Sequence, residues 1–366
     1  MRILIAPDKF AGTMTAAEAA DAVADGWRRA RSGDATVALP LADGGPGFVD
    51  VLEAALPAAE RRTVDACDPL GRPVKADYLR EGETAYIESA ATCGLHLLAP
   101  GERDPRAATT YGLGLVVAAA VETGARRLVI GLGGSATNDA GAGMLTALGC
   151  TCRDLAGGAL PYGGAALASC ASIDGFARTR GVEFVAATDV DSPLLGPHGA
   201  SYMFGPQKGA AKADLPLLES ALANFAEVVE RDLGPAGASQ WPGAGAAGGL
   251  GLALFALGGR RASGAKLTCE AVGLDAAVAA ADLVITGEGS FDAQSLRGKL
   301  AAEVAAAAAA HGKPCLVLAG RSDLDEHPQL AGVHSVTALV GGAEEAMRAP
   351  VEGLRALAES VARDWP

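Results

Sequence analysis

The chain reads as an α/β protein. Three observations predict this: short runs apolar on both faces that end in Gly, Asp or Pro, helical patterns after most of them, and a middle stretch where the hydrophobic period changes. The runs are Arg2–Ala6, Arg127–Ile130, Phe184–Thr188, Asp282–Thr286, Cys315–Leu318 and Val336–Val340, each expected to be a parallel strand buried between helices. After the first, Thr15 and Glu18 have the spacing of a capping box, and Ala16, Ala20, Val23, Trp27 and Ala30 share one helical face. Lys299–Ala310 is alanine-rich and stops at His311-Gly312-Lys313-Pro314, so a helix is expected there too. Residues 61–105 differ: Val74–Leu79 and Thr84–Glu88 alternate between Pro and Gly breaks, the pattern of antiparallel strands. Residues 155–180 and 233–266 are glycine-rich and expected to be irregular. The two ends should share one sheet: 1–60 plus 275–366 form one domain, and 61–274 a mixed α/β domain inserted into it.

With 366 residues there is enough chain for two cores. The 49 glycines show no collagen period, and at 50% hydrophobic residues the chain is expected to fold. A net charge of −13 argues against nucleic acid and anionic membrane surfaces, both of which attract clustered Lys and Arg. The long uncharged stretch Leu233–Gly259 is broken by Pro235 and Pro242. Only Leu250–Leu257 is strongly apolar, well short of the roughly 20 residues of a membrane span. The 7 cysteines form no CxxC pair and have no His at ligand spacing, so a reduced, cytoplasmic protein without zinc is expected. With one positive charge and a short apolar run at Met1–Asp8, no export signal is expected. None of the 5 histidines is placed for a Ser/His/Asp or Cys/His arrangement, which disfavours acyl-enzyme hydrolysis.

Ligands of open α/β sheets collect at the carboxyl ends of strands. After the first run, Asp8 and Lys9 could orient a small hydroxy acid or form a solvated turn. Asp43-Gly44-Gly45-Pro46 suits a loop approached by a ligand, but Asp-Gly is also a common turn. The densest signal follows Arg127–Ile130, where Gly133, Gly134, Ser135, Thr137 and Asn138 lead to Asp139. A strand running into glycines and then a helix start offers backbone N–H groups to an anion, so phosphate binding is expected. The same segment matches G-x-G-x-x-A with Asp154 about twenty residues on, a dinucleotide fingerprint. A Walker-type loop is excluded because no G-x-x-x-x-G-K-[ST] occurs. Further on, Asp189 and Asp191 flank a strand end, while Lys208 and Lys266 supply cations in loops. Finally Glu288, Asp292, Gln294 and Lys299 crowd the residues after Thr286, a density that packing does not explain.

These segments together resemble the bacterial glycerate kinase family. The resemblance is carried in order by Ala6–Thr13, Pro40–Gly45, Asp68–Pro73, Glu88–Ala91, Thr109–Gly112, Gly131–Gly141, Thr188–Leu194, Gly205–Gly209, Pro242–Gly249 and Thr286–Lys299. It implies a flavodoxin-like parallel-sheet domain with a second, inserted mixed α/β domain, and ATP-dependent phosphorylation of D-glycerate, 2-phosphoglycerate being favoured over 3-phosphoglycerate. Transfer would be in-line, with Mg²⁺, in a cleft between two domains. Asp189 is then expected as the base, with Lys9, Lys266 or Lys299 neutralising negative charge. Asp8, Asp43, Gly44, Gly45, Ser89, Glu288, Asp292, Gln294 and Lys299 would bind substrate, and Gly133, Gly134, Ser135, Thr137 and Asn138 the ATP phosphates. Carboxylates among Asp139, Asp189 and Asp292 would hold the metal. A monomer or homodimer is expected. Pro46 and Phe48 stand where the family often has Glu and Thr, and Ala11 where it often has Lys. Two rival readings remain: a nicotinamide-dependent oxidoreductase using the Gly131–Ala136 turn and Asp154, and a non-catalytic sugar-acid-binding homologue.

Overall fold

Side chains alternate across a strand, and Ile3 and Ile5 pack on one face of the Arg2–Ile5 strand while Leu4 packs on the other. The computed structural model describes residues 1–366 except Ala11, Gln294, Leu296, Arg297, Gly298 and Asp325. Its described residues divide into two units: Met1–Asp43, Asp50–Ala55 and Ala265–Pro366 form the first, and Gly44–Val49 with Leu56–Gly264 the second.

The first unit holds a 5-stranded sheet in the order Gly332–Ser335, Cys315–Ala319, Leu283–Thr286, Arg2–Ile5, Ala35–Ala38. Every neighbouring pair is parallel. Counted along the unit's chain the order is 2-1-3-4-5, the flavodoxin-like arrangement, with its switch point between Arg2–Ile5 and Leu283–Thr286. Both faces are covered, which is why the strands read as continuously apolar. On one side lie Ala16–Ala30 and Pro350–Asp364, with Trp27 and Leu354 fully buried; on the other lies Leu300–Ala310, through Leu300 and Val304. The Thr15 capping box forms as expected, with the Thr15 hydroxyl accepting from Glu18 N and the Glu18 carboxylate accepting from Thr15 N.

Val336–Val340 is a correction: it is a helix, and the edge strand is Gly332–Ser335 just before it. A short apolar run does not distinguish the two states by period. The ends decide: Ser335 Oγ caps Ala338 N at 3.3 Å, and Gly341 closes the helix with φ 84.

The second unit holds a 6-stranded mixed sheet ordered Arg260–Ala262, Glu183–Ala187, Arg127–Gly131, Thr84–Glu88, Pro73–Glu81, Glu60–Cys67. Its first four strands are parallel, and the last two join antiparallel as the alternating sequence predicts. Ile87, Leu128, Ile130 and Phe184 meet the helices Tyr111–Glu122, Asp214–Asp232 and Ala246–Ala256 in one core. The stretch 233–266, expected to be irregular, thus contains Ala246–Ala256, which begins with left-handed residues at Ala247, Gly248 and Gly249, and part of Gly264–Ala271. No helix among the described residues is long and apolar enough to cross a membrane.

Candidate active site

Two groups of polar residues form at strand ends, one in each unit. In the first unit they surround the switch point. Ala6 N and Asp8 N bond to Ile285 O and Gly287 O at 2.7 and 2.8 Å, continuing the ladder and fixing Asp8 beside Glu288. Lys9 Nζ donates to Asp43 Oδ1 at 2.7 Å and lies 3.5 Å from Asp8 Oδ1, which also accepts Lys9 N at 2.7 Å. One ammonium therefore serves two carboxylates unequally. Burial would depress the Lys9 ammonium, but the charges of Asp43 and Asp8 outweigh it and hold its pKa above the ordinary value. Asp8 is pushed from 3.8 up to about 7, first by burial and then by the Asp43 charge, against the pull of Lys9. Burial also raises Glu288, opposed by its bond with Ser295 and the charge of Lys299.

Asp8, Lys9, Asp43 and Glu288 line a cavity of about 530 Å³ together with the apolar Phe10, Met14, Ala346 and Met347. Asp292 sits in a tight turn, its Oδ1 accepting from Ser295 N at 3.2 Å and its N–H donating to Ser295 Oγ. Lys299 is the N-terminal cap residue of Leu300–Ala310. Gln294 lies outside the described residues, as does Ala11. The structure does not bring Lys266 to this group: it is 64% exposed, 4.0 Å from Glu303, and lines a separate pocket with Cys269 and Glu270.

In the second unit, the residues after Arg127–Gly131 form an irregular turn in which Gly133 packs closely against neighbouring backbone. Gly133 N donates to Gly44 O at 3.1 Å, and a Cβ on Gly133 would lie 2.5 Å from Gly45 Cα. Gly44 and Gly45 are thus packing partners of the turn. Ala136 N donates to Cys93 O, and the next helix in the sequence starts only at Ala142 and has 6 residues, so the turn does not run directly into a long helix. Asp139 is fully buried and occupied. It accepts from Thr110 N at 2.8 Å, Thr110 Oγ1 at 3.0 Å, Gly141 N and Gly143 N at 3.2 Å, and Thr109 Oγ1 at 3.4 Å. Burial raises its pKa against those bonds. A carboxylate so saturated braces the turn and has little left to offer a metal.

Lys208 reaches the turn with its Nζ, donating to Thr137 O at 2.6 Å and Ser135 Oγ at 3.0 Å. Thr137 Oγ1, Asn138 Oδ1 and Ser89 Oγ are buried with no hydrogen-bond partner among the described residues. Asn138 Nδ2 lies 3.3 Å from Ser201 Oγ; a half-turn of the amide would exchange donor and acceptor. Asp189 follows Glu183–Ala187 and accepts from Ser263 Oγ at 2.6 Å.

The dinucleotide reading fails on this geometry. A Rossmann unit continues into a parallel strand, whereas here Thr151–Arg153 pairs antiparallel with Ser172–Asp174. Asp154 is spent on a local turn, accepting from Ala156 N and Gly158 N at 2.9 and 2.8 Å.

A sequence profile of the glycerate kinase family matches residues 3–366. The chain belongs to the glycerate kinase family. It is 41% identical to a glycerate kinase of Bacillus subtilis and 38% identical to a glycerate 2-kinase of Escherichia coli, covering in both cases 99% of this chain and 97% of the relative. A crystal structure assigned to a glycerate kinase 2 of Salmonella typhimurium LT2 superposes with a TM-score of 0.78 at 39% identity, covering 99% of this chain and 97% of that one.

Within this family member the departure at Phe48 has a packing reason, since its side chain is fully buried. Gly47 N and Phe48 N both donate to Glu88 Oε2, at 2.9 and 3.1 Å, so the Glu88 carboxylate anchors this part of the loop. Sequence reasoning gave no role to Thr109, Thr110, Ser263 or Ser295, and saw Lys208 only as a loop cation. Thr109-Thr110 and Lys208 stand in segments that carry the family resemblance, the one signal available for them.

Proposed function

We propose that the chain is an ATP-dependent D-glycerate kinase, a phosphotransferase with an alcohol acceptor, whose product is 2-phosphoglycerate. The observation that carries the substrate is the Asp8–Lys9–Asp43 group at the switch point, and the name of the E. coli relative favours the 2-position. Glycerate is a small anion with two hydroxyls. The Lys9 ammonium suits its carboxylate, and Asp8 and Asp43 suit its hydroxyl protons. The ATP phosphates are assigned to the turn from Gly134 to Asn138. Support comes from the buried Thr137 hydroxyl, which can donate to phosphate and has no partner among the described residues, since a buried polar group left so costs about 1–3 kcal/mol.

Phosphoryl transfer asks the protein mainly to position reactants and stabilise charge. Asp189, fixed by Ser263, accepts the proton of the attacking hydroxyl. Mg²⁺ is commonly held by one or two carboxylates together with substrate phosphates, and Asp189 or Asp292 fits that need better than the saturated Asp139. Bound there, Mg²⁺ would neutralise charge on the phosphate oxygens. The test is phosphorus NMR of the product formed from D-glycerate and ATP, which reads reaction and regiochemistry together. Asp189→Asn should lower kcat by about 10²–10⁴-fold. Turnover within about tenfold of the parent would remove Asp189 as the base.

A further inference from the structure

A lysine side chain at 2% exposure is unusual, because a buried ammonium loses hydration and is retained only with good partners. Lys208 has no carboxylate within ion-pair distance among the described residues. Its partners are the Ser135 hydroxyl and the Thr137 carbonyl, and its third proton has no partner among the described residues. Burial lowers its pKa to about 7, offset in part by the charges of Asp139 and Cys93. It is presented from the short Pro206–Lys208 helix, whose end is set by Gly209 at φ 99. A Met of similar length would fill the space without losing hydration, so packing alone does not require the amine.

We propose that Lys208 is a positioning residue for nucleotide phosphate, fastening the Ser135–Thr137 segment from its inner side so that the turn presents its donors to an anion. The inference rests on the assignment of the ATP phosphates to this turn. Two consequences of the geometry support it. Holding Thr137 O inward removes the acceptor that would repel phosphate, and the Ser135 hydroxyl, accepting from the ammonium, keeps its own proton free to donate. A positive charge in a low-dielectric interior also favours an anion beside it far more than the same charge would in water. The neighbouring orphan Thr137 Oγ1, a hydroxyl able to donate, lies on the residue this bond fixes.

The test is Lys208→Met in the full chain, with folding checked by circular dichroism and ADP affinity read by calorimetry. The Kd for ADP and the KM for ATP should rise about tenfold or more, the scale of a hydrogen bond to a charged group, while the KM for D-glycerate stays within about twofold. Ser135→Ala should weaken ADP in the same direction, and the double variant should be no weaker than Lys208→Met alone. If Lys208→Met does not fold, Ser135→Ala decides the question. An unchanged ADP Kd in whichever variant folds, or an equal loss toward ATP and glycerate, overturns the proposal. A parent that binds ADP but phosphorylates no glycerate would refute the kinase reading and leave the role of Lys208 to the ADP measurement. A parent that binds no nucleotide refutes both.

Discussion

Replacing Asp8 by Asn should make the protein more stable at alkaline pH and less active at every pH. Asp8 shares Lys9 with Asp43 and has the poorer part of it, at 3.5 Å against 2.7 Å, while its side chain is only 15% exposed. Two facts look opposed: the ammonium is stabilised as a cation, yet the neighbouring carboxylate is destabilised as an anion. They agree once the pairing is unequal. Asp43 takes the short bond, and Asp8 is left desolvated beside a second negative charge.

The sign follows from proton counting. The unfolded chain releases the Asp8 proton near 3.8 and the folded chain holds it to about 7, so between those values the folded state binds more protons and stability falls as pH rises. The contribution is fully present below 3.8 and is lost as pH passes through about 7. That shift is worth roughly 4 kcal/mol as a ceiling, at about 1.4 kcal/mol per unit, and the residual exposure of Asp8 reduces it to about 2–4 kcal/mol. Asn keeps an oxygen for the Lys9 N–H but cannot ionise. Urea denaturation of parent and Asp8→Asn should therefore coincide near about pH 4 and diverge above about pH 7, with the variant more stable. Parallel curves, or a variant less stable at high pH, would show that Asp8 is not the strained carboxylate. Lys9 adds no slope in this window, because its raised pKa keeps it charged throughout.

Gly248→Ala places a methyl against the carbonyl of Thr137 at a backbone φ of 70, so it should cost at least about 1–3 kcal/mol in strain alone and displace the Ser135–Asn138 turn proposed to hold phosphate. A drop in Tm together with a raised ATP KM and unchanged glycerate KM is the expected pattern, and a neutral result would detach Gly248 from the turn. Ser335→Ala removes the cap of Val336–Val340 and should lower unfolding stability by about 1 kcal/mol in a urea titration. No change there would mean that packing alone makes this segment helical.

What could be read without coordinates was local in origin. The capping box at Thr15 and the alternating strands of residues 73–88 depend on neighbours a few positions away, and they formed where their patterns lie. Val336–Val340 failed because its apolar residues suit either state, and the polar cap that decides between them sits one residue outside the run. The glycine turn carries a further constraint that spacing does not reveal. Gly133 is glycine because Gly45 packs against it, a contact across a wide span of sequence that no spacing rule can show. Lys208 and Lys266 look alike as loop cations, yet one is buried against the Thr137 carbonyl and the Ser135 hydroxyl and the other is 64% exposed beside Glu303. Burial separates them, and burial is a property of the fold.

The overall charge of −13 misstates what an anionic ligand meets. At the switch point Lys9 neutralises Asp43, burial holds a proton on Asp8 up to about pH 7, and Glu288 is shifted the same way. The negative charge that remains there near neutral pH is smaller than a count of carboxylates suggests. At the turn proposed to hold phosphate, Asp139 is surrounded by N–H and O–H donors, while the Lys208 amine, its pKa lowered by burial to about 7, donates to the Thr137 carbonyl. Each unit thus keeps acidic residues that shape its loops and offsets them locally, by protonation in one case and by hydrogen bonding in the other. The phosphates of ATP still carry more charge than one buried lysine can balance. A divalent cation arriving with the nucleotide is the simplest source of the remainder, and this is the physical reason for assigning Mg²⁺ to the proposed reaction.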